Sequence, residues 1–222
     1  MSELLRRLAE AVERGKVVAA TPHPPEMDGQ DGADELTRAA INQGCSPGEI
    51  LSTGLIAGMD VVGQKFRDGE IYLPDVLMSA RAMQTGMSHL KPFFQSGEAE
   101  YKGSVILGTV AGDLHDIGKK IVAMFFEGNG WEVTDLGVDV SAAKFLEAIE
   151  NRKPSAVGLS ALLTTTMQSM AEITSEIKGK HPDIKVLVGG APLTSEFAEK
   201  IGADAFFPDP QGALEYLDSV VV

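Results

Sequence analysis

The spacing of apolar residues changes period once along this 222-residue chain, near residue 95, and that change limits the fold more than any single motif. Before it, apolar residues recur at helical intervals: Leu4, Leu8 and Val12; then Leu51, Leu55, Met59, Val62 and Phe66; then Val76, Ala80, Met83, Met87 and Leu90. Helix boundaries are marked as well. Ser46-Pro47-Gly48-Glu49 reads as a capping box, Pro74 after Leu73 opens the last stripe, and Gly44 stops a helix expected over 33–43. Four helices with short connections predict a bundle over residues 1–94, with Met78, Met83 and Met87 in its core. The stretch 21–34, TPHPPEMDGQDGAD, is too long for a bundle turn and is expected to be a flexible surface loop. Residues 95–103 read as a linker.

Beyond residue 103 strand and helix alternate. Apolar, β-branched runs fall at 104–110, 132–136, 156–159 and 184–188, with a short one near 205–207. Helical segments are expected near 118–128, 142–152, 166–178 and 194–201, and from about 210 to the end. This predicts an α/β unit over 104–222, a flavodoxin-like (Rossmann-type) five-stranded parallel sheet covered on both faces. In that winding the ligand crevice lies at the strand C-termini, beside the point where strand order reverses.

Composition removes several functions. Nineteen basic residues against 32 acidic ones give a net charge of −13, a field that repels a phosphate backbone, so nucleic acid is not an expected partner. No apolar run is long enough to cross a membrane, and the charged N-terminus, MSELLRRLAEAVERGK, does not read as a secretory signal. One cysteine, Cys45, supports neither a disulfide framework nor a Cys-based zinc site. A cytoplasmic location is the expectation.

Three segments fall in the crevice: Gly112 to Lys120 after the first strand, Ser160 to Thr166 after the third, and Gly189-Gly190-Ala191-Pro192 after the fourth. In an extended loop Asp113 and His115 point to the same side. An aspartate beside a histidine fixes one imidazole tautomer and leaves the other nitrogen as a lone pair, which suits either a metal ligand or a general base. Lys119 and Lys120 read as a solvated helix face. No phosphate loop or dinucleotide fingerprint follows the first strand, and Ser160 lies in GLSAL rather than a nucleophile elbow. No catalytic residue is assigned.

The sequence D-x-H-x-x-G at Asp113, His115 and Gly118, S-x-L at Ser160 and Leu162, and Gly189-Gly190 resembles the cobalamin-binding module of corrinoid-dependent methyltransferases. Residues 58–83, GMDVVGQKFRDGEIYLPDVLMSARAM, are similar to the helical cap that precedes this module in methionine synthase, and more so to free-standing corrinoid proteins of methylamine and methanol systems. The resemblance covers roughly residues 45–215. It implies a cobalamin cofactor bound with its tail base off cobalt, methylcobalamin in the loaded state. His115 becomes the cobalt ligand, Asp113 its partner, and Thr166 the hydroxyl that continues the relay. Gly112, Leu114, Asp116, Gly118 and Leu162 are implied as cofactor-binding; Ser160 and Thr164 would contact the tail, and Gly189 and Gly190 leave room for it. Phe66 and Leu73 take positions where the family covers the upper face of cobalt. His115 must bind and release cobalt in each cycle.

The same resemblance implies a methyl carrier, not a complete enzyme. Its partners are a substrate-specific methyltransferase, a second methyltransferase that accepts the methyl group, and a reductive activator, with 95–103 as the hinge that lets the cap swing away. The small subunit of an adenosylcobalamin mutase, a cobalamin-dependent sensor, and a flavodoxin-like domain for another ligand remain alternatives.

Overall fold

A computed structural model describes residues 2–97 and 100–221 of the chain. Glu98 and Ala99, at the centre of the expected linker, lie outside the described residues. The chain divides into two compact units, residues 1–101 with 127–130, and residues 102–126 with 131–222. Among the described residues no helix is long and apolar enough to cross a membrane.

The first unit is helical. Helix α1 (Glu3–Glu13) starts at Ser2, whose hydroxyl accepts the Leu5 amide, and buries Leu5, Leu8, Ala11 and Val12. Leu4, expected in that stripe, lies half-buried at its rim. Helix α2 (Ala33–Asn42) ends before Gly44, which adopts φ 80°. Helix α3 (Pro47–Glu49) has the expected capping box: Ser46 Oγ accepts the Glu49 amide at 3.2 Å, and the Glu49 carboxylate accepts the Ser46 amide at 3.1 Å. It runs through a π-helical stretch, Ile50–Ile56, into α4 (Ala57–Arg67). Helix α5 (Leu73–Ser96) follows and carries Pro92 inside it. Met83 is buried in this unit, while Met78 and Met87 are half-buried.

Two findings were not expected. The 21–34 segment is partly built into the unit: Pro25–Met27 form a 3-10 turn, Met27 is buried, and α2 takes up residues 33 and 34. The Ala33 and Asp34 amides donate to the Lys16 and Val17 carbonyls, and the Glu35 carboxylate accepts the Ala19 and Gly32 amides. The second finding is a close approach of α1 to the π-helical stretch and α4. A Cβ at Gly54 would stand 2.7 Å from a Leu8 methyl, and one at Gly58 would stand 2.5 Å from the Ala9 carbonyl oxygen. Four residues apart, these glycines share a helix face and let the two backbones meet.

The second unit is a doubly wound parallel sheet. Strands β1 (Ser104–Thr109), β2 (Glu132–Asp135), β3 (Ala156–Ser160), β4 (Lys185–Gly189) and β5 (Ala205–Phe206) lie in the order β2-β1-β3-β4-β5, all parallel. Side chains alternate across the sheet, as a strand demands. Val105, Leu107 and Leu187 join Phe126, Trp131, Leu214 and Leu217 on one face, which α6 (Ile117–Gly128) and α10 (Pro210–Val221) cover. On the other, Ile106, Val157, Val186 and Val188 pack with Phe145, Ile149, Met170, Ile173, Ile177 and Ala198 from α7 (Ala142–Arg152), α8 (Met167–Lys180) and α9 (Ser195–Ile201).

Register decides where the site falls. Thr109 pairs with Ser160, and Ser160 with Gly189, so β1, β3 and β4 end level. The strand order reverses between β1 and β3, and the loops after those strands therefore emerge side by side.

The glycine contact gives a direct test. Gly58→Ala is expected to destabilise the protein by about 1–3 kcal/mol, because the backbone of α1 has nowhere to retreat. Gly48→Ala, with open space around it, is expected to change stability by less than about 0.5 kcal/mol. Urea unfolding of both variants checks the pair; equal effects would contradict the packing.

Candidate functional site

Asp113 is the centre of the site. It follows β1 by four residues, and its side chain is fully buried. Its Oδ1 accepts the His115 amide at 3.0 Å and contacts His115 Nδ1 at 2.7 Å. Its Oδ2 accepts the Thr166 hydroxyl at 2.8 Å and the Leu162 and Leu163 amides at 2.8 and 3.3 Å. Burial alone raises a carboxyl pKa, but here the His115 and Leu162 amides, the His115 ring and the Thr166 hydroxyl outweigh it. Together they hold Asp113 well below the usual carboxylate range. The group is therefore an anion whenever the fold is intact near neutral pH.

That anion fixes His115. With a carboxylate at Nδ1, the neutral imidazole carries its proton there and leaves Nε2 as a lone pair. The His115 side chain is 52% exposed while Asp113 is at 0%, so a buried carboxylate orients an open ring. Thr166 closes the far end of the chain. Its Oγ1 lies 2.9 Å from the Leu163 carbonyl as well, and a hydroxyl has one proton for two acceptors.

The sequence brought Asp113, His115 and Thr166 to notice, and the structure joins them. Leu162 contributes its amide to Asp113, while its side chain is exposed. Leu114, Ile117 and Leu163 are exposed too, the first two at 71%, so the loops after β1 and β3 both present apolar surface. Exposed apolar surface around a convergent polar group marks a ligand site. Gly118 and Gly189 face open space, with nothing nearer to a Gly189 Cβ than the Phe207 carbonyl oxygen at 3.8 Å. Gly190 is a glycine for another reason: at φ 144° a Cβ would sit 1.8 Å from the Ala161 carbonyl oxygen. Ser160 ends β3, and Thr164 opens a 3-10 turn that delivers Thr166. Asp116 turns to Lys120 and takes no part in the Asp113 network. In the helical unit, Phe66 near the end of α4 and Leu73 at the start of α5 are both half-buried.

Lys119 corrects the sequence reading. Its side chain is 2% exposed and its ammonium pairs with Asp135 at the end of β2, because an unpaired buried cation would be costly. Lys120 is exposed, as expected. The sequence also passed over Thr109, which is buried at the end of β1 and donates to the His115 carbonyl at 2.9 Å. Gly112, at φ 84°, donates to Asp139 Oδ1 at 2.7 Å.

A parallel sheet that presents a carboxylate-oriented histidine and two apolar loops at its switch point defines a class, the flavodoxin-like cobalamin-binding proteins. The B12 binding domain family matches residues 103–217, and a second B12 binding domain family matches residues 29–91. Trimethylamine corrinoid protein 1 of Methanosarcina acetivorans is 42% identical over 178 residues, which cover 78% of this chain and 82% of that protein. The methanol:cobalamin methyltransferase complex MtaBC of Methanosarcina barkeri contains a similar chain, with a TM-score of 0.82 and 32% identity, covering 99% of this chain and 80% of that one. A cobalamin-binding protein from Desulfitobacterium hafniense DCB-2 matches with a TM-score of 0.75 and 28% identity over 97% of both chains. This chain belongs to the B12-binding corrinoid proteins, and a corrinoid is its cofactor.

The depressed carboxyl has a consequence for stability. A group whose folded pKa lies below its unfolded value stabilises fully above the unfolded value, about 4, and loses that contribution as pH falls towards the folded one. Asp113→Asn is expected to cost about 1–3 kcal/mol at pH 7, since buried donors lose their anion. The gap between variant and wild type should narrow below about pH 4. Urea unfolding of ligand-free protein across pH 2–7 checks this, and a constant gap would contradict it.

Proposed function

We propose that this chain carries a methyl group on its corrinoid, held base-off with His115 as the lower axial ligand. The observation that carries this reading is the pairing of His115 Nδ1 with buried Asp113, which leaves Nε2 as an oriented lone pair on an exposed ring. The residues suit a large, mostly apolar macrocycle: Leu114, Ile117, Leu162 and Leu163 offer apolar surface, and Gly118 and Gly189 face open space. Gly112, Asp116, Ser160, Thr164 and Gly190 complete the cofactor-binding set, and Phe66 and Leu73 are assigned to cover its upper face. In this reading residues 1–94 are the cap, 95–103 the linker and 104–222 the cobalamin-binding domain.

When bound, the corrinoid supplies a cobalt centre that takes up and gives away a methyl group. The protein's part is to hold and release one ligand. His115 would hold the cobalt through Nε2, and the Asp113 anion at Nδ1 fixes which ring nitrogen is free to do so. The Thr166 proton has a second acceptor in the Leu163 carbonyl, so the hydroxyl can turn between that carbonyl and Asp113.

The partners proposed are a substrate-specific methyltransferase, a second methyltransferase that accepts the methyl group, and a reductive activator. Trimethylamine and methanol, named in the relatives, indicate small methylated amines or alcohols as the donor class. A cytoplasmic location fits the single cysteine.

Protein with ¹⁵N-labelled histidine, loaded with cobalamin and reduced to Co(II), tests the reading by EPR. The expected signal is split by one protein ¹⁵N nucleus, and the splitting is lost in His115→Ala. Failure to retain cobalamin, or a tail base that stays on cobalt, would contradict it. Thr166 makes a finer point. Thr166→Val removes a donor from Asp113 and is expected to lower the share of cobalt bound by histidine, read as a weaker nitrogen splitting. Thr166→Ser keeps the hydroxyl and is expected to leave that share unchanged.

A further inference from the structure

The β2–α7 loop carries a carboxylate to which the proposed function gives no role. Asp139 adopts a left-handed backbone, φ 52°, a region aspartate enters more readily than most residues. There it meets the D-x-H loop twice. Its Oδ1 accepts the Gly112 amide at 2.7 Å, and its own amide donates to the Asp113 carbonyl at 3.0 Å. The first is a charge-assisted bond, the stronger kind. The end of β2 is already secured by other bonds: Leu136 to Leu107, Thr109 to Gly137, and Val140 to Thr109. The Asp139 carboxylate thus adds to the motif loop rather than to the sheet.

The end of β2 supplies a second grip, in the helix that follows His115. Asp135 pairs with buried Lys119, four residues after the histidine, and accepts the Gly137 amide at 2.9 Å. Between these two grips, Thr109 holds the His115 carbonyl. The His115 backbone itself is held at its carbonyl by Thr109 and at its amide by Asp113 Oδ1, and Asp139 secures the loop just before it, at Gly112 and Asp113.

We propose that Asp139 is a positioning residue. By clamping Gly112 and Asp113 it sets where the free ring nitrogen of His115 stands, and hence how firmly the histidine holds the lower face of the corrinoid. This assignment depends on His115 being the axial ligand. Asp139 itself acts through the backbone of the loop.

The test compares wild type, Asp139→Gly and Asp139→Asn, each labelled with ¹⁵N-histidine, loaded with cobalamin and reduced to Co(II). Glycine keeps the left-handed backbone and deletes the carboxylate, whereas asparagine keeps an acceptor oxygen. The ratio of histidine-on to histidine-off cobalt is expected to fall roughly tenfold in Asp139→Gly and to recover most of that in Asp139→Asn. In ligand-free protein the Gly112 amide is expected to exchange its hydrogen faster in Asp139→Gly. A purely structural role would speed that exchange but leave the ratio unchanged in loaded protein, and that result overturns the proposal. Wild type without histidine splitting would instead overturn the axial-ligand reading, and this assignment with it.

Discussion

A carboxylate out of reach of water must be saturated with donors, and the sheet unit is arranged so that this demand is met at Asp113. The His115 amide and ring satisfy Oδ1 from within the first loop. The Leu162 and Leu163 amides and the Thr166 hydroxyl satisfy Oδ2 from a second loop about fifty residues away. The donors that keep the charge come from both loops. The anion consequently ties the two loops together, and the side chain it orients inherits their rigidity. The geometry of His115 is set by the protein's own groups.

The loops meet because of the sheet beneath them. Parallel strands with level ends put successive crossover loops on one edge, and the reversal of order between β1 and β3 leaves a gap between two of them. Close packing keeps that edge tight: a Cβ at Gly190 would strike the Ala161 carbonyl, and one at Gly108 would stand 2.4 Å from the Phe145 ring. Small residues at these points bring the loop after β4 against the loop after β3, and α7 against β1. A fold whose general form suits many ligands is adapted here by a few side chains that are absent as much as by those present.

Much of this was legible in the sequence. The change of period separated helical bundle from parallel sheet, because burial on one helix face and burial on both sheet faces leave different apolar patterns. Asp113 and His115 stood out from residue chemistry, and Thr166 from the resemblance. The Leu162 and Leu163 amides had no signal, since any residue but proline supplies an amide. Thr109 looked like one more β-branched strand residue, and Asp139 like a polar loop residue, until register and a left-handed backbone gave each a partner. Lys119 was misread because two adjacent lysines on a helix look alike, whereas one faces solvent and the other points at Asp135. The Gly54 and Gly58 contact likewise depends on which helix lies opposite, and spacing within one helix cannot supply that.

The division between buried and exposed parts bears on the proposed cycle. A ligand that must leave and return cannot be packed into the core, because each departure would open a cavity and disturb its neighbours. A ligand hung freely on the surface would sample many orientations and bind weakly. In this site the ring is open, at 52% exposure, while the group that aims it has none. In the proposed cycle motion would be confined to this one side chain, with the groups that aim it being backbone amides and a buried charge. The exposed leucines beside it then have a physical purpose: apolar surface left open on a folded protein is unfavourable until something covers it, and Leu114, Leu162 and Leu163 would help retain a corrinoid independently of any bond from His115.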